Sequence, residues 1–213
     1  DAGKKVTIDS PETREWLAWV KDAWDKKLFS LGNTTWDGAG DNQAFLSGQA
    51  GFIANTGSVG IAARNDDPEL FEASAFSPLP GGPKGVISPI DVQLRAISKS
   101  SPLQDEAKAL LEHLSNPDFM NAYFNVAIYG PVLQNQEKLP AFDGSNSILV
   151  GLLGLAKNGT APAWPDVNNA AFADLSSNFL IPKLAQRVVV DGWDFDRAIA
   201  EAQTQGQAIY DKY

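Results

Sequence analysis

Apolar positions in this 213-residue chain recur mostly at helical spacing, and a few short apolar or alternating runs fall between those stripes. Val6-Thr7-Ile8 reads as a short extended segment. Ser10-Pro11-Glu12 then gives a cap, a proline at the first helical position and an early acid, so a helix is predicted from Pro11. Its stripe is Trp16, Leu17, Val20, Trp24 and Leu28. Core packing accounts for Trp16 and Trp24, which share that stripe with aliphatics; Trp19 lies off it. Further stripes predict helices after Ser101-Pro102 (Ala107, Leu110, Leu111, Leu114) and after Asn116-Pro117 (Phe119, Met120, Tyr123, Phe124). Another helix is expected over 147–156, and a longer helical region carries Phe172, Leu175, Phe179 and Leu180, with Pro182 kinking or dividing it. Asp194 caps a last helix with Phe195, Ala198, Ile199, Ala202 and Ile209 facing inward.

The stretch 44–60 organises the rest. A helix over 42–46 stops at Ser47-Gly48, where glycine can turn left-handed. The apolar run 51–54 is short enough for a buried strand, and Asn55-Thr56-Gly57-Ser58 then opens a helix from Val59 to about Asn65. Unpaired N–H groups, hydroxyls and an amide would meet at that strand-to-helix turn, a useful place for a ligand, although an ordinary capped turn has the same composition. Strands are also predicted over 71–76 and 92–97. The run Pro78-Leu79-Pro80-Gly81-Gly82-Pro83-Lys84-Gly85 between them reads as a crossover between domains. It lacks the Walker spacing of a phosphate loop. These elements predict an α/β, helix-rich fold, with the strands at Phe52 and Phe76 in one sheet and the Val92 strand crossing away.

Charge narrows the function classes. The net charge of −9 argues against nucleic acid and anionic lipid surfaces as partners. The absence of cysteine excludes disulfides and thiolate metal sites and fits an oxidising compartment. The chain starts at Asp1 without methionine, which reads as a processed, trimmed or engineered end. Hydrophobic residues make up 44% of the chain, enough to fold around a core, yet no apolar run has the length of a membrane span.

Candidate chemistry is sparse. His113 is the single histidine and lies off its helix stripe, so no multi-histidine zinc site and no triad is indicated. Asp37-Gly38-Ala39-Gly40-Asp41-Asn42 offers oxygens for calcium but fails the EF-hand spacing, and a solvated glycine loop has the same composition. Asn33-Thr34-Thr35 and Asn158-Gly159-Thr160 match the short N-glycosylation pattern. Asp37, Asp91 and Asp166 fall in or near loops and could pair as glycosidase carboxylates, though surface acids are the default. Trp36 sits in the glycine-rich loop 31–42, and Trp164 lies between Pro162 and Pro165; neither is placed on a helix core by periodicity.

The order of the motifs carries a resemblance. Thr7-Ile8-Asp9-Ser10-Pro11-Glu12 leads a helix, and Ala44-Phe45-Leu46-Ser47-Gly48-Gln49-Ala50-Gly51-Phe52 follows a glycine-rich loop. Ser77-Pro78-Leu79-Pro80-Gly81-Gly82, then Ser98-Lys99-Ser100, then Ala107-Lys108-Ala109-Leu110-Leu111-Glu112-His113-Leu114-Ser115-Asn116-Pro117 come next, before Gly130-Pro131 and the closing helix. Together these resemble the carboxyl-terminal part of the extracellular solute-binding proteins of bacterial ABC importers, and in particular the sugar-binding group that includes maltose-binding protein. The resemblance covers nearly the whole chain.

It implies a type II periplasmic-binding-protein-like fold that is incomplete, lacking most of the amino-terminal lobe. Carried over, residues 1–76 are the first part of the second lobe, 77–129 a returning fragment of the first, and 130–213 the closing helices of the second. The implied function is to bind a small solute, a sugar or sugar derivative, in a cleft between two lobes and deliver it to a membrane permease, without catalytic residues, metal or cofactor. The implied location is periplasmic or extracellular, at the cell envelope, and the implied state at full length is a monomer. Aromatic faces and fixed polar groups would hold the sugar. The matching positions are Trp36, Asn55, Thr56, Gly57, Ser58, Asp91, Trp164 and Asn168, of which Trp164 and Asn168 match by region only. Trp36, Asn55, Ser58 and Trp164 are expected to converge on one wall. A carbohydrate hydrolase with paired carboxylates and a non-catalytic interaction domain are the alternatives.

Overall fold

The computed structural model describes residues 4–83, 85–163 and 167–213. Trp164, Asp166 and the flanking Pro165 therefore lie outside the described residues, as do Asp1 and Lys84.

Among the described residues, six helices start at side-chain caps the sequence supplies, and four do not. In α1 (Pro11–Asp25) the Thr13 N–H donates to Ser10 Oγ at 3.1 Å, and Pro11 occupies the first position where no N–H is needed. α2 spans Gly40–Leu46 and ends at Gly48, whose φ of +74° is left-handed and favours glycine. α3 (Ser58–Asp66) begins after Gly57, and α4 (Pro68–Glu72) begins after Asp67, whose carboxylate accepts from the Leu70 N–H. α5 is Gln104–Leu114, α6 Pro117–Val126, α7 Ser147–Asn158, α8 Ala170–Ser177, α9 Leu180–Val189 and α10 Phe195–Tyr210. Asn116, Asn146, Asn169 and Asp194 cap α6, α7, α8 and α10 through their side chains. Two helix expectations move. α5 starts at Gln104 rather than directly after Ser101-Pro102. The long region divides at Asn178-Phe179, where Phe179 adopts φ 54°, and Pro182 falls in the first turn of α9, where its missing donor is tolerated.

The predicted strands are corrected. No strand longer than a single bridge occurs among the described residues; the two bridges are Gly82 with Gly85 and Pro89 with Thr160. Residues 51–54 join no ladder, and Phe52 is 73% exposed rather than buried. Residues 71–76 begin inside α4, because Asp67-Pro68 starts a helix that continues through Phe71. Residues 92–97 alternate in sequence, but Leu94 is 86% exposed and no neighbour completes a ladder. A period of two fits any extended chain; a sheet also needs a partner. The expected sheet through Phe52 and Phe76 is thus absent among the described residues. The helix-rich character stands and is compatible with part of a periplasmic-binding fold.

The chain divides into two compact units. One joins the chain up to Asp37 with Ala161–Tyr213. Its core is Val6, Ile8, Leu17, Leu180, Leu184, Val188, Ala198, Ile199 and Ala202, drawn from both chain ends. The segment before α1 finds its backbone partners on α10 side chains: Val6 N–H donates to Gln207 Oε1 and Asp9 N–H to Gln203 Oε1, while Gln203 Nε2 donates to the Val6 carbonyl at 2.9 Å. Two glutamines thus do the work of a strand. Arg14 ties Asp9 (2.6 Å) to Asp196 (2.9 Å), and Arg187 bonds Glu201 and Asp191 while stacking with Arg197 on the Trp193 ring. The α1 stripe is narrower than predicted. Leu17 is fully buried, but Leu28 is exposed and Trp16 borders a groove of about 250 Å³ with Ile8, Glu12, Thr13, Ile181 and Leu184. Trp19 is exposed and meets Phe29 edge-on.

The other unit is Gly38–Thr160. Met120, Phe124, Ala141 and Leu149 form its buried cluster, with Phe119, Tyr123, Leu139, Phe142 and Leu152 against it. α3 approaches α7 closely: a Cβ on Gly57 would run into Ile148, and one on Gly60 would lie 2.6 Å from the Phe76 ring. α5 buries none of its residues, and Leu103 and Leu110 beside or on it are more than half exposed.

Candidate functional site

The loop before α3 is held by a short polar network. Asn55 Nδ2 donates to Asp41 Oδ2 at 2.7 Å and also to Asn42 Oδ1. Asn55 Oδ1 accepts from the Thr56 N–H at 2.6 Å and from Thr56 Oγ1 at 3.3 Å. Thr56 Oγ1 and Ser58 Oγ are 2.8 Å apart. Asp41 Oδ1 accepts from the Asn42 N–H at 3.0 Å. Asn55, Thr56 and Ser58 are exposed, whereas Val59 and Gly60 directly after them are buried. The sequence dictates this arrangement: Gly57 lets the loop press on Ile148 and Ile128, so the small polar residues around it stay outside.

The structure therefore brings Asn55, Thr56, Gly57 and Ser58 together with Asp41 and Asn42, the two residues that sequence reasoning left in a possible calcium loop. Their signal was the Asx pair at the start of α2; what the sequence does not reveal is its pairing with an amide thirteen residues on. Trp36 ends a 3-10 turn over Leu31–Thr35, half-buried, and its Nε1 lies where a Cβ on Gly32 would come within 2.9 Å. Its indole packs back on its own turn. Asp91 is exposed and accepts from Gln93 Nε2 at 3.3 Å. Asn168 is exposed, next to the Asn169 that caps α8. Trp164 lies outside the described residues.

A wider cavity of about 800 Å³ lies in the same unit as the Asn55 loop, between the 131–138 segment and the second half of α7. Leu133, Leu153 and Ala156 give it apolar walls, and Glu137 and Lys157 form an ion pair of 2.8 Å beside them. That pair holds the Glu137 carboxyl below the usual glutamate range, chiefly through the hydrogen bond from Lys157. His113 is exposed, with its ring 5.4 Å from that of Phe119. Among the described residues, no three of His, Cys, Asp and Glu gather to hold a metal, and no helix is long and apolar enough to cross a membrane.

No curated protein matches the chain. The family comparison does match: a sequence family described as bacterial extracellular solute-binding protein covers residues 1–146, about two thirds of the chain. That span includes α1 to α6, the Asn55 loop and the proline- and glycine-rich run that starts at Pro78. On that coverage, the chain belongs to the family of bacterial extracellular solute-binding proteins.

Proposed function

We propose that this protein binds a sugar or sugar derivative in a cleft between two lobes, without chemistry, and delivers it to the membrane permease of an ABC importer. Membership of an extracellular solute-binding family carries the reading. An exposed set of hydroxyls and amides around Asn55, anchored on buried neighbours, supports a sugar in particular, since such groups satisfy ring hydroxyls. The proposed ligand-binding set is Trp36, Asn55, Thr56, Gly57, Ser58, Asp91, Trp164 and Asn168. The protein works at the cell envelope, in the periplasm or outside the cell, and as a monomer at full length. The proposed fold is of the periplasmic type II class. In it, residues 1–76 and 130–213 belong to the second lobe, and 77–129 return to a first lobe of which this chain holds a fragment. The unpaired run at 92–97 and the uncovered α5 support that last assignment, because both leave apolar side chains in water.

Calorimetry of the full-length protein against a panel of mono- and oligosaccharides and polyols tests the reading. Saturable binding of an unaltered sugar is expected. Turnover of an aryl glycoside, lost on changing Asp37, Asp91 or Asp166, would replace the proposal with a hydrolase; neither binding nor turnover would leave an interaction domain.

A further inference from the structure

α7 is apolar on every side. From Ile148 to Ala156 it carries nine consecutive residues without a polar side chain, a pattern that belongs to a helix covered all round. Yet only Ile148 and Leu149 are buried; Val150 is exposed, and Leu152, Leu153, Leu155 and Ala156 are half-buried. Part of what stays uncovered is the wall of the cavity of about 800 Å³, which Leu153 and Ala156 line from α7 and Val132 and Leu133 line from the 131–138 segment. That segment is pinned. The buried Gln136 accepts the Val132 N–H at 3.0 Å and the Leu133 N–H at 3.1 Å on its Oε1, and its own N–H donates to the Leu133 carbonyl at 2.9 Å. A ligand would meet a wall already in place, with little ordering cost.

Charge at the rim sets the class of occupant. Glu137 and Lys157 neutralise each other at 2.8 Å. Lys138 follows Glu137 on the same 3-10 turn, lines the cavity, is exposed, and has no ion-pair partner among the described residues. The lining residues therefore carry one uncompensated positive charge, in a chain whose net charge is −9. None of the described residues that line the cavity is aromatic, so its apolar walls are aliphatic and lack the ring faces on which a sugar stacks. We propose that this cavity binds an aliphatic carboxylate, its chain along Leu133, Leu153 and Ala156 and its carboxylate at Lys138. The proposal goes beyond the sugar reading and does not rest on it, since none of these residues belongs to the set proposed for the sugar.

Methyl NMR of the full-length protein, titrated with butanoate, hexanoate and octanoate, tests it. Saturable shifts are expected at Leu133, Leu153 and Ala156, with a dissociation constant for octanoate below about 1 mM. Each added methylene should tighten binding by about two- to fourfold, as burial of an apolar chain requires. Octanamide has the same length and no charge, and should bind at least about twofold more weakly than octanoate. Lys138→Gln should weaken octanoate by about two- to fivefold, the range of an exposed ion pair, at an unchanged melting temperature because Lys138 is exposed. No saturation at these methyls, affinity independent of chain length, octanamide binding as tightly as octanoate, or an octanoate affinity unmoved by Lys138→Gln would each overturn the proposal. So would shifts of the same methyls with protein concentration alone, which would put a second copy of the chain on this wall.

Discussion

Gly57 and Gly38 lie in similar small-residue stretches and have opposite surroundings. A Cβ on Gly57 would strike the Ile148 side chain and lie 3.1 Å from Ile128 Cγ2, whereas one on Gly38 would meet nothing within 4 Å. Ile148 is buried on α7, so it has little room to give. Gly57→Ala should therefore destabilise the protein by about 1–3 kcal/mol through overpacking. Gly38→Ala should change stability by no more than about 0.5 kcal/mol. Urea unfolding of the two variants side by side measures the difference, and equal midpoints would refute it. Nothing in the sequence separates these glycines, since the distinction lies in a helix ninety residues away. The cap residues were legible for the opposite reason: Ser10, Asn116 and Asp194 act on N–H groups two or three positions along the chain.

At the scale of elements, helices were readable because their apolar stripes and caps are local. Strands were not, because 51–54 and 92–97 satisfy the pattern without a neighbour to bond. The amino-terminal Val6–Ile8 segment shows the reverse. Val6 and Ile8 are buried, and the backbone partners of the segment are the Gln203 and Gln207 side chains, which no strand pattern predicts. The candidate site was readable in part. The 55–58 loop was visible as polar residues at a helix start, while its tie to Asp41 depends on tertiary packing. A second long-range tie, Glu137 to Lys157, joins the 3-10 turn Gln136–Lys138 to α7. The Lys157 hydrogen bond lowers the folded-state pKa of Glu137. A depressed carboxyl pKa stabilises the fold above its unfolded value, and that contribution is lost as pH falls through the lower folded value. Carbon-detected NMR should find Glu137 titrating at lower pH than an ordinary glutamate. Lys157→Met keeps the apolar stem and removes the charge, so Glu137 should return to the ordinary range. An unchanged titration in that variant would show that the pair is not the cause.

Across the whole molecule, the first helix depends on the last two. Leu17 is fully buried, and the cluster around it is supplied by Leu180, Leu184 and Val188 from α9 and by Ala198, Ile199 and Ala202 from α10. Val6 and Asp9 take their backbone partners from Gln203 and Gln207, and Arg14 reaches Asp196. Gly206 is part of the same closure: a Cβ there would come within 3.0 Å of Val6 and 3.2 Å of Leu180, so α10 lies against both segments. Burying a leucine, isoleucine or valine side chain contributes about 1.5–3 kcal/mol, and three of the side chains at stake before Asp37 are Val6, Ile8 and Leu17. An isolated helix of 15 residues such as α1 is marginal in water. The family match ends at residue 146, before α8, α9 and α10 begin. A fragment ending at Thr160 therefore keeps the matched span and lacks the α9 and α10 side chains that cluster with Leu17. Its α1 amides should exchange without protection, and its helical circular dichroism should fall by more than the loss of α8 to α10 accounts for. The Gly38–Thr160 unit holds its own cluster of Met120, Phe124, Ala141 and Leu149, so α6 and α7 should keep their protection in the same fragment. Adding residues 161–213 as a separate peptide should restore protection to α1, because the missing groups are side chains of that peptide rather than a covalent continuity. Protected α1 amides in the fragment without the peptide would show that Leu17 is held by something other than α9 and α10.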